Sequence, residues 1–360
     1  MQTGIQPDSW RTYQTEAEWL AARSAGYGIG SSAVAAILGH SSWRSPWDVW
    51  AAFHAPEAAP DTAGPQLLRG HALEPLILRA YEAHADEVAE HYDRTIACHP
   101  LNDWARCSPD GVTASGGLVE IKTAQNGWAW RDAPPVQHSA DGLEELPRIS
   151  YGLQCYWQML ITGAPWVDLV VLPLSFDVAA ICDQLLAADL QEALPLVVKV
   201  LQGSLCVTRI MRDEPFIKAL AGQIATWRLR HLVEGTEPPA GHSKHASAHH
   251  GRAVKAGCCI IQDSDDPFTQ AAEGLAFWKD RERHAKQRVK QFTGAMKQAM
   301  QHVQEVQTPQ GSVKWKRHGR GMRLDLDSFI RVQHIAEAAA DATAGPDLPD
   351  LQTLQPHQEE

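Results

Sequence analysis

Two carboxylates and a lysine are set close together in the first half of the chain. Asp110 lies in the turn Ser108-Pro109-Asp110-Gly111, and Glu120 and Lys122 follow in Leu118-Val119-Glu120-Ile121-Lys122-Thr123. The second segment has the make-up of a β-strand. Alternate side chains of a strand share a face, so Glu120 and Lys122 project the same way. The Pro-Asp-Gly turn places Asp110 at the mouth of a hairpin whose return strand is Leu118 to Lys122. Two carboxylates, completed by further oxygen ligands, hold a hard divalent cation such as Mg²⁺. A lysine beside them orients a water or helps deprotonate it. This is the minimal apparatus for metal-assisted phosphodiester hydrolysis.

The elements around this hairpin must bring the remaining groups to it. Glu16 to Arg23 reads as a short amphipathic helix. Ser31-Ser32 open a second, apolar helix that Gly39 ends, with serine at its start and glycine at its stop. A third, Ser45 to Phe53, carries Pro46 in its first turn. Leu67 to Val88 reads as a longer helix with Leu68, Leu73, Leu76, Ile77 and Tyr81 along one stripe and Glu74 within it. Thr95 to His99 and Ala105 to Ser108 read as strands, Trp128 to Arg148 as a loop, Tyr151 to Thr162 as a helix stopped by Gly163, and Trp166 to Leu172 as an apolar strand. From Phe176 the pattern turns largely helical: Ala179 to Ala188, Glu192 to Leu201 and Glu214 to Glu234. Gly235 to Gly251, with Pro238-Pro239 and four histidines, reads as a linker without ordered metal ligands. Asp266 to Val306 carries a heptad-like stripe from Leu275 and Trp278 to Val303 and Val306, expected to pack on its own core. Val313 to Trp315 and Met322 to Leu326 resemble a closing hairpin, and Ala338 to Glu360 a disordered acidic tail. Trp43, Trp47 and Trp50 have the spacing of a packed helix edge, with DNA stacking the lesser alternative, and His71, although it adjoins Glu74, reads as packing or facing water.

The bulk composition narrows the function classes. The chain has 360 residues and 44% hydrophobic content, enough for a sizeable core. Its net charge of −11, from 32 basic and 43 acidic residues, argues against a nonspecific nucleic-acid coat. A local basic channel inside an acidic shell stays compatible with a nuclease, and Lys314 to Arg320 is the densest basic run, as open to phosphate contact as to plain solvation. The 7 cysteines show no CxxC pairing, which argues against a zinc ribbon or a disulfide framework and fits a reduced cytoplasm. No apolar stretch reaches membrane-spanning length, and Met1 to Arg11 lacks a signal-peptide pattern. There is no Walker-type phosphate loop and no nucleophile–histidine signature.

Four blocks in order give the chain a family resemblance. They are Ile29-Gly30-Ser31-Ser32 through Gly39 with Ser45-Pro46-Trp47-Asp48-Val49-Trp50, then Gly70-His71-Ala72-Leu73-Glu74-Pro75, then Ser108 to Thr123, then Tyr151-Gly152-Leu153-Gln154 through Gly163. Together they resemble the YqaJ-type viral recombinase family, related to phage lambda exonuclease within the PD-(D/E)xK nucleases. The resemblance implies an α/β restriction-endonuclease-like core, a mixed sheet flanked by helices, over residues 1–175. A helical continuation follows over 176–234, a linker over 235–265, a long helix with a terminal hairpin over 266–335, and an acidic tail over 336–360. It also implies a Mg²⁺-dependent exonuclease, with Mn²⁺ as a substitute ion. Such an enzyme digests linear duplex DNA 5′ to 3′ for recombination by single-strand annealing, in the cytoplasm of a bacterial host of a phage or prophage. A single-strand-annealing protein and a homotrimer come with it.

On the same resemblance, Asp110, Glu120, Glu74 and the backbone carbonyl of Ile121 ligate the metal. Lys122 positions the attacking water and steadies developing negative charge, and Gln154 holds Lys122 or that water. Tyr151 and Ser108 contact phosphate. Ser32, with Arg23 upstream, receives a 5′-phosphate at the helix start. Helix-cap and solvated-surface roles compete for Ser32 and Arg23. An endonuclease, a nuclease subunit of a helicase complex and a noncatalytic DNA-end binder are the rival readings of the whole.

Overall fold

A computed structural model describes residues 10–58, 65–124, 130–131, 133–174, 195, 198–252, 267–300, 304–308, 311–318 and 321–325. The chain divides into two compact units, Met1–Lys255 and Ala256–Glu360. In chain order the first unit runs β1 (Trp10–Thr12), α1 (Glu16–Ser24), β2 (Ile29–Gly30), α2 (Ser31–Ile37), α3 (Pro46–His54), α4 (Pro65–Ala85), β3 (Ala89–His91), β4 (Thr95–His99), β5 (Asn102–Cys107), β6 (Gly111–Thr113) and β7 (Leu118–Ala124). It continues through α5 (Ser139–Gly142), α6 (Ile149–Thr162), β8 (Trp166–Pro173), β9 (Cys206–Met211), α7 (Glu214–Arg228) with a π-helical turn at Leu229–Val233, and α8 (Lys244–Arg252).

Two mixed sheets build this unit, one in the order β1-β4-β5-β2 and one in the order β3-β6-β7-β8-β9. β7 and β8 run parallel, from Leu118↔Val167 to Ala124↔Pro173, so a crossover must join them. That crossover contains α6, which packs on β8 and also meets β4 and β5 of the other sheet. α4 covers the opposite face of β7. The alternation along β7 serves both sides: Leu118 joins the core beneath α6, while Val119 and Ile121 join Leu73, Leu76, Ile77 and Tyr81 of α4. The expected mixed sheet flanked by helices is therefore the fold.

The local signals have identifiable causes. Ser45 accepts from the Asp48 N–H while Asp48 reaches back to the Ser45 N–H, a capping box that starts α3 with Pro46 in its first turn. α6 stops at Gly163, whose φ of 76° is left-handed and suits a residue without a Cβ. Tyr81 donates to Asp168 Oδ2 at 2.6 Å, and Arg209 grips the same carboxylate at 2.8 and 2.7 Å, tying α4, β8 and β9 together.

Several expectations are corrected. β9 is a strand in a region read as helical, paired antiparallel with β8 from Trp166↔Met211 to Val171↔Cys206. The segment read as a linker from Gly235 forms α8, and Ser243 and Ala246 are buried because Ser243 Oγ donates to Asp48 Oδ1 at 2.6 Å. In the loop read from Trp128 to Arg148, α5 forms a short helix. The expected helix Ala179 to Ala188 and half of Glu192 to Leu201 lie outside the described residues, as do residues 253–265 of the linker and the tail.

In the second unit, α9 (Pro267–Ala299) is followed by β10 (Glu305–Thr308), β11 (Gly311–His318) and β12 (Gly321–Asp325), an antiparallel sheet in that order. The long helix thus ends before Val303, and Val306 lies in a strand. Leu275, Trp278 and Val289 of its apolar stripe are exposed, so the stripe is not a packed core. Among the described residues no helix is long and apolar enough to cross a membrane.

Candidate active site

The hairpin places the turn carboxylate against the strand as its sequence requires. β6 and β7 pair at Gly111↔Val119 and Val112↔Leu118, and Asp110 Oδ2 accepts the Ile121 N–H at 2.6 Å. Glu120 and Lys122 share the α6 face of β7. Glu120 is 1% exposed and accepts from Lys122 Nζ, from Gln154 Nε2 on Oε1 at 2.6 Å and from Gln158 Nε2 on Oε2 at 2.5 Å. Gln154 and Gln158 are one helical turn apart and therefore lie on the same face of α6. Gln158 was missed in the sequence. Its signal is a second glutamine at i+4 inside an otherwise apolar helix. It is fully buried, and its Oε1 has no hydrogen-bond partner among the described residues.

The charged groups here lie close enough to act on one another. Burial pushes the Asp110 carboxyl well above the ordinary carboxylate range, helped by the charges of Glu120 and Glu74 and opposed by Lys122 and the Ile121 N–H. Burial alone lowers the Lys122 pKa, but Glu120 and Asp110 outweigh it and hold the ammonium above its usual value. Lys122 in this metal-free arrangement is a donor and a positive charge beside Glu120. Glu74, on α4, is bonded to His71, with Nδ1 and Oε1 3.0 Å apart. That hydrogen bond raises the His71 pKa against the opposing effect of burial. His71 is thus tied to Glu74 and open to water rather than packed.

Asp110, Glu120, Glu74 and the Ile121 carbonyl offer oxygen atoms, the donor type that suits Mg²⁺ or Mn²⁺. Burial and, after it, the repulsion from Glu120 and Glu74 raise Asp110, and a divalent cation bound there would offset both. Among the described residues no group of three or more His, Cys, Asp or Glu side chains forms a ready metal cage. Glu120 is instead engaged by Lys122 and the two glutamines.

Beside this cluster, Arg23 Nη2 donates to Ser32 Oγ at 3.4 Å, and the guanidinium lies 4.4 Å from the Trp19 ring centroid. Ser32 does not cap α2, because Gly30 occupies the cap position without a side chain; its hydroxyl is exposed one residue into the helix. Burial lowers the Arg23 pKa, the nearby Arg44 lowers it further, and Glu120 opposes. Arg44 was missed in the sequence, where it stands unremarked before the Ser45 cap. Ser108 is half-buried, and its hydroxyl has no hydrogen-bond partner among the described residues.

Tyr151 extends the site outward. Its ring centroid is 5.7 Å from Lys122 Nζ, 5.8 Å from the Arg148 guanidinium and 5.6 Å from the Trp130 ring, which it stacks on. Trp47 and Trp50 are buried as a packed edge should be, but Trp43 is 76% exposed, which corrects the sequence reading.

Residues 18–165 match the YqaJ-like viral recombinase domain family. No curated protein matches the chain. Among solved structures, the chain is similar to an alkaline exonuclease from Laribacter hongkongensis, at 20% identity and a TM-score of 0.42, over 66% of this chain and 97% of that one. The complex of that exonuclease with dAMP matches equally. A phage related exonuclease from Haemophilus somnus 129PT matches at 12% identity and a TM-score of 0.36, over 63% of this chain and 96% of that one.

Proposed function

We propose, from the match of residues 18–165 to the YqaJ-like viral recombinase domain family, that the protein is a divalent-cation-dependent DNA exonuclease. It digests linear duplex DNA from 5′ ends for phage-type recombination by single-strand annealing. The observation that carries this reading is the convergence of Asp110, Glu120 and Lys122 on one hairpin, with Gln154 reaching Glu120 from α6.

Asp110, Glu120, Glu74 and the Ile121 carbonyl would hold Mg²⁺ or Mn²⁺, which when bound supplies a Lewis acid for the phosphodiester. The chain's own residues then do the following. Lys122, held protonated, orients the attacking water and offsets the negative charge that grows on the phosphate. Gln154 and Gln158 keep the Glu120 carboxylate in a fixed plane. His71 holds Glu74. Arg23, with Ser32 and Arg44 beside it, offers cations and a hydroxyl to a terminal phosphate. The site's action beside a single-strand-annealing protein, in the cytoplasm of a phage's bacterial host and as a homotrimer, follows from the resemblance alone.

The test compares linear duplexes bearing a 5′-phosphate or a 5′-hydroxyl, with Mg²⁺ and with EDTA. Faster digestion of the phosphorylated end, shortening from the 5′ side and abolished by EDTA, supports the reading. Equal digestion of both ends removes the Arg23 and Ser32 pocket from it, and digestion in EDTA removes the metal.

A further inference from the structure

We propose that Trp43 is a stacking platform for a nucleobase of the DNA strand leading to the active site. The inference rests on the nuclease reading in taking DNA as the ligand. A tryptophan offers a large, rigid aromatic face that gains when a second ring covers it. Among the described residues of the first unit, Trp43 is the only Trp, Tyr or Phe that is exposed, at 76%.

The loop that carries Trp43 is built. The Trp43 and Arg44 N–H groups donate to Ser41 Oγ at 3.3 and 3.2 Å, and the next residue, Ser45, is locked in the α3 cap. The ring is thus presented from a fixed backbone.

What stands next to it fits nucleic acid. The Arg148 guanidinium is 5.7 Å from the Trp43 ring centroid and 5.8 Å from that of Tyr151, so one cation sits between two rings. Among the described residues Arg148 pairs with no carboxylate, which leaves its charge for a phosphate. Tyr151 in turn lies 5.7 Å from Lys122 Nζ. Ring and cation therefore alternate from solvent to the catalytic lysine: Trp43, Arg148, Tyr151, Lys122. Aromatic faces for bases interleaved with cations for the backbone are the general means of holding single-stranded nucleic acid. The platform takes any base, because every base offers a π-face.

The experiment measures binding of a labelled single-stranded oligonucleotide and an abasic one of the same length by fluorescence anisotropy in EDTA. Loss of one base–aromatic stack predicts that Trp43→Ala weakens the base-containing oligonucleotide by roughly 5- to 150-fold. It should leave the abasic one unchanged, and Trp43→Phe should keep most of the affinity. Arg148→Ala weakens both, with a shallower salt dependence. Equal affinity of Trp43→Ala and wild type for both oligonucleotides overturns the proposal, as does an equal loss on both. Digestion of linear duplex by the wild-type chain with Mg²⁺ is followed in parallel. Digestion without any base-dependent loss removes the platform alone. A base-dependent loss without digestion keeps the platform and removes the nuclease reading.

Discussion

Replacing Gln158 by methionine separates a positioning role from a structural one. Gln158 Nε2 donates to Glu120 Oε2 at 2.5 Å, while its own Oε1 is buried without a partner among the described residues. A hydrogen bond to a charged group is worth about 1.5–3 kcal/mol net, and a buried unsatisfied carbonyl costs about 1–3 kcal/mol. Methionine, of similar length, removes both. The two effects largely cancel, so stability should change by less than about 2 kcal/mol. Glu120, however, loses the donor that fixes one of its oxygens. Groups that orient a metal ligand from behind are worth roughly 10- to 100-fold in metal affinity or activity. The assays are urea unfolding of the metal-free protein and Mg²⁺ titration of linear-duplex digestion. Near-native stability with a 10- to 100-fold loss, recovered in part at high Mg²⁺, is the expected result. A loss of about 4 kcal/mol with unchanged Mg²⁺ dependence would refute the reasoning and make Gln158 a packing residue.

Three further changes probe the frame around the site. The Asp110 pKa is raised in the folded protein, so its stabilising contribution is full below the ordinary carboxylate range and is lost as pH rises through the folded value. Asp110→Asn should therefore raise the melting temperature of the metal-free protein at pH 7 while abolishing digestion; a lower melting temperature contradicts the cost of a buried Asp110 charge beside Glu120 and Glu74. Arg209→Ala leaves the 2%-exposed Asp168 carboxylate with Tyr81 alone. Because Arg209 is half open to water, the cost should lie near the lower end of that for a broken buried pair, about 3 kcal/mol by denaturant unfolding. Asp213 caps α7 through the Phe216 N–H at 3.0 Å, which with Ser139 holds its pKa below the usual range. Asp213→Ala should cost about 1 kcal/mol at neutral pH, and the difference from wild type should vanish as pH falls through that depressed value.

The parts of the site that were legible in the sequence are those fixed by local rules. The period of β7 put Glu120 and Lys122 on one face, the turn put Asp110 at the strand, and the glycine after Thr162 ended α6. What stayed hidden depends on contacts distant in sequence. β9 was obscured because Cys-Val-Thr-Arg-Ile-Met is short and becomes a strand only by pairing with β8. α8 sits in a histidine-rich stretch whose order comes from Ser243 meeting Asp48, 195 positions away. Gln158 reads as an ordinary polar residue in a helix until Glu120 is seen beneath it. Trp43 shares the spacing of Trp47 and Trp50, but it lies before the Ser45 cap rather than on the helix, so periodicity gave the wrong environment for it.

The decisive measurement is digestion of end-labelled linear duplex and of covalently closed circles by the wild-type chain and by Asp110→Ala, each with Mg²⁺. Loss of the linear duplex to the wild type, with intact circles and an inert variant, is the predicted result. Rapid cutting of circles would contradict an exonuclease, and equal digestion by the variant would contradict the site at Asp110.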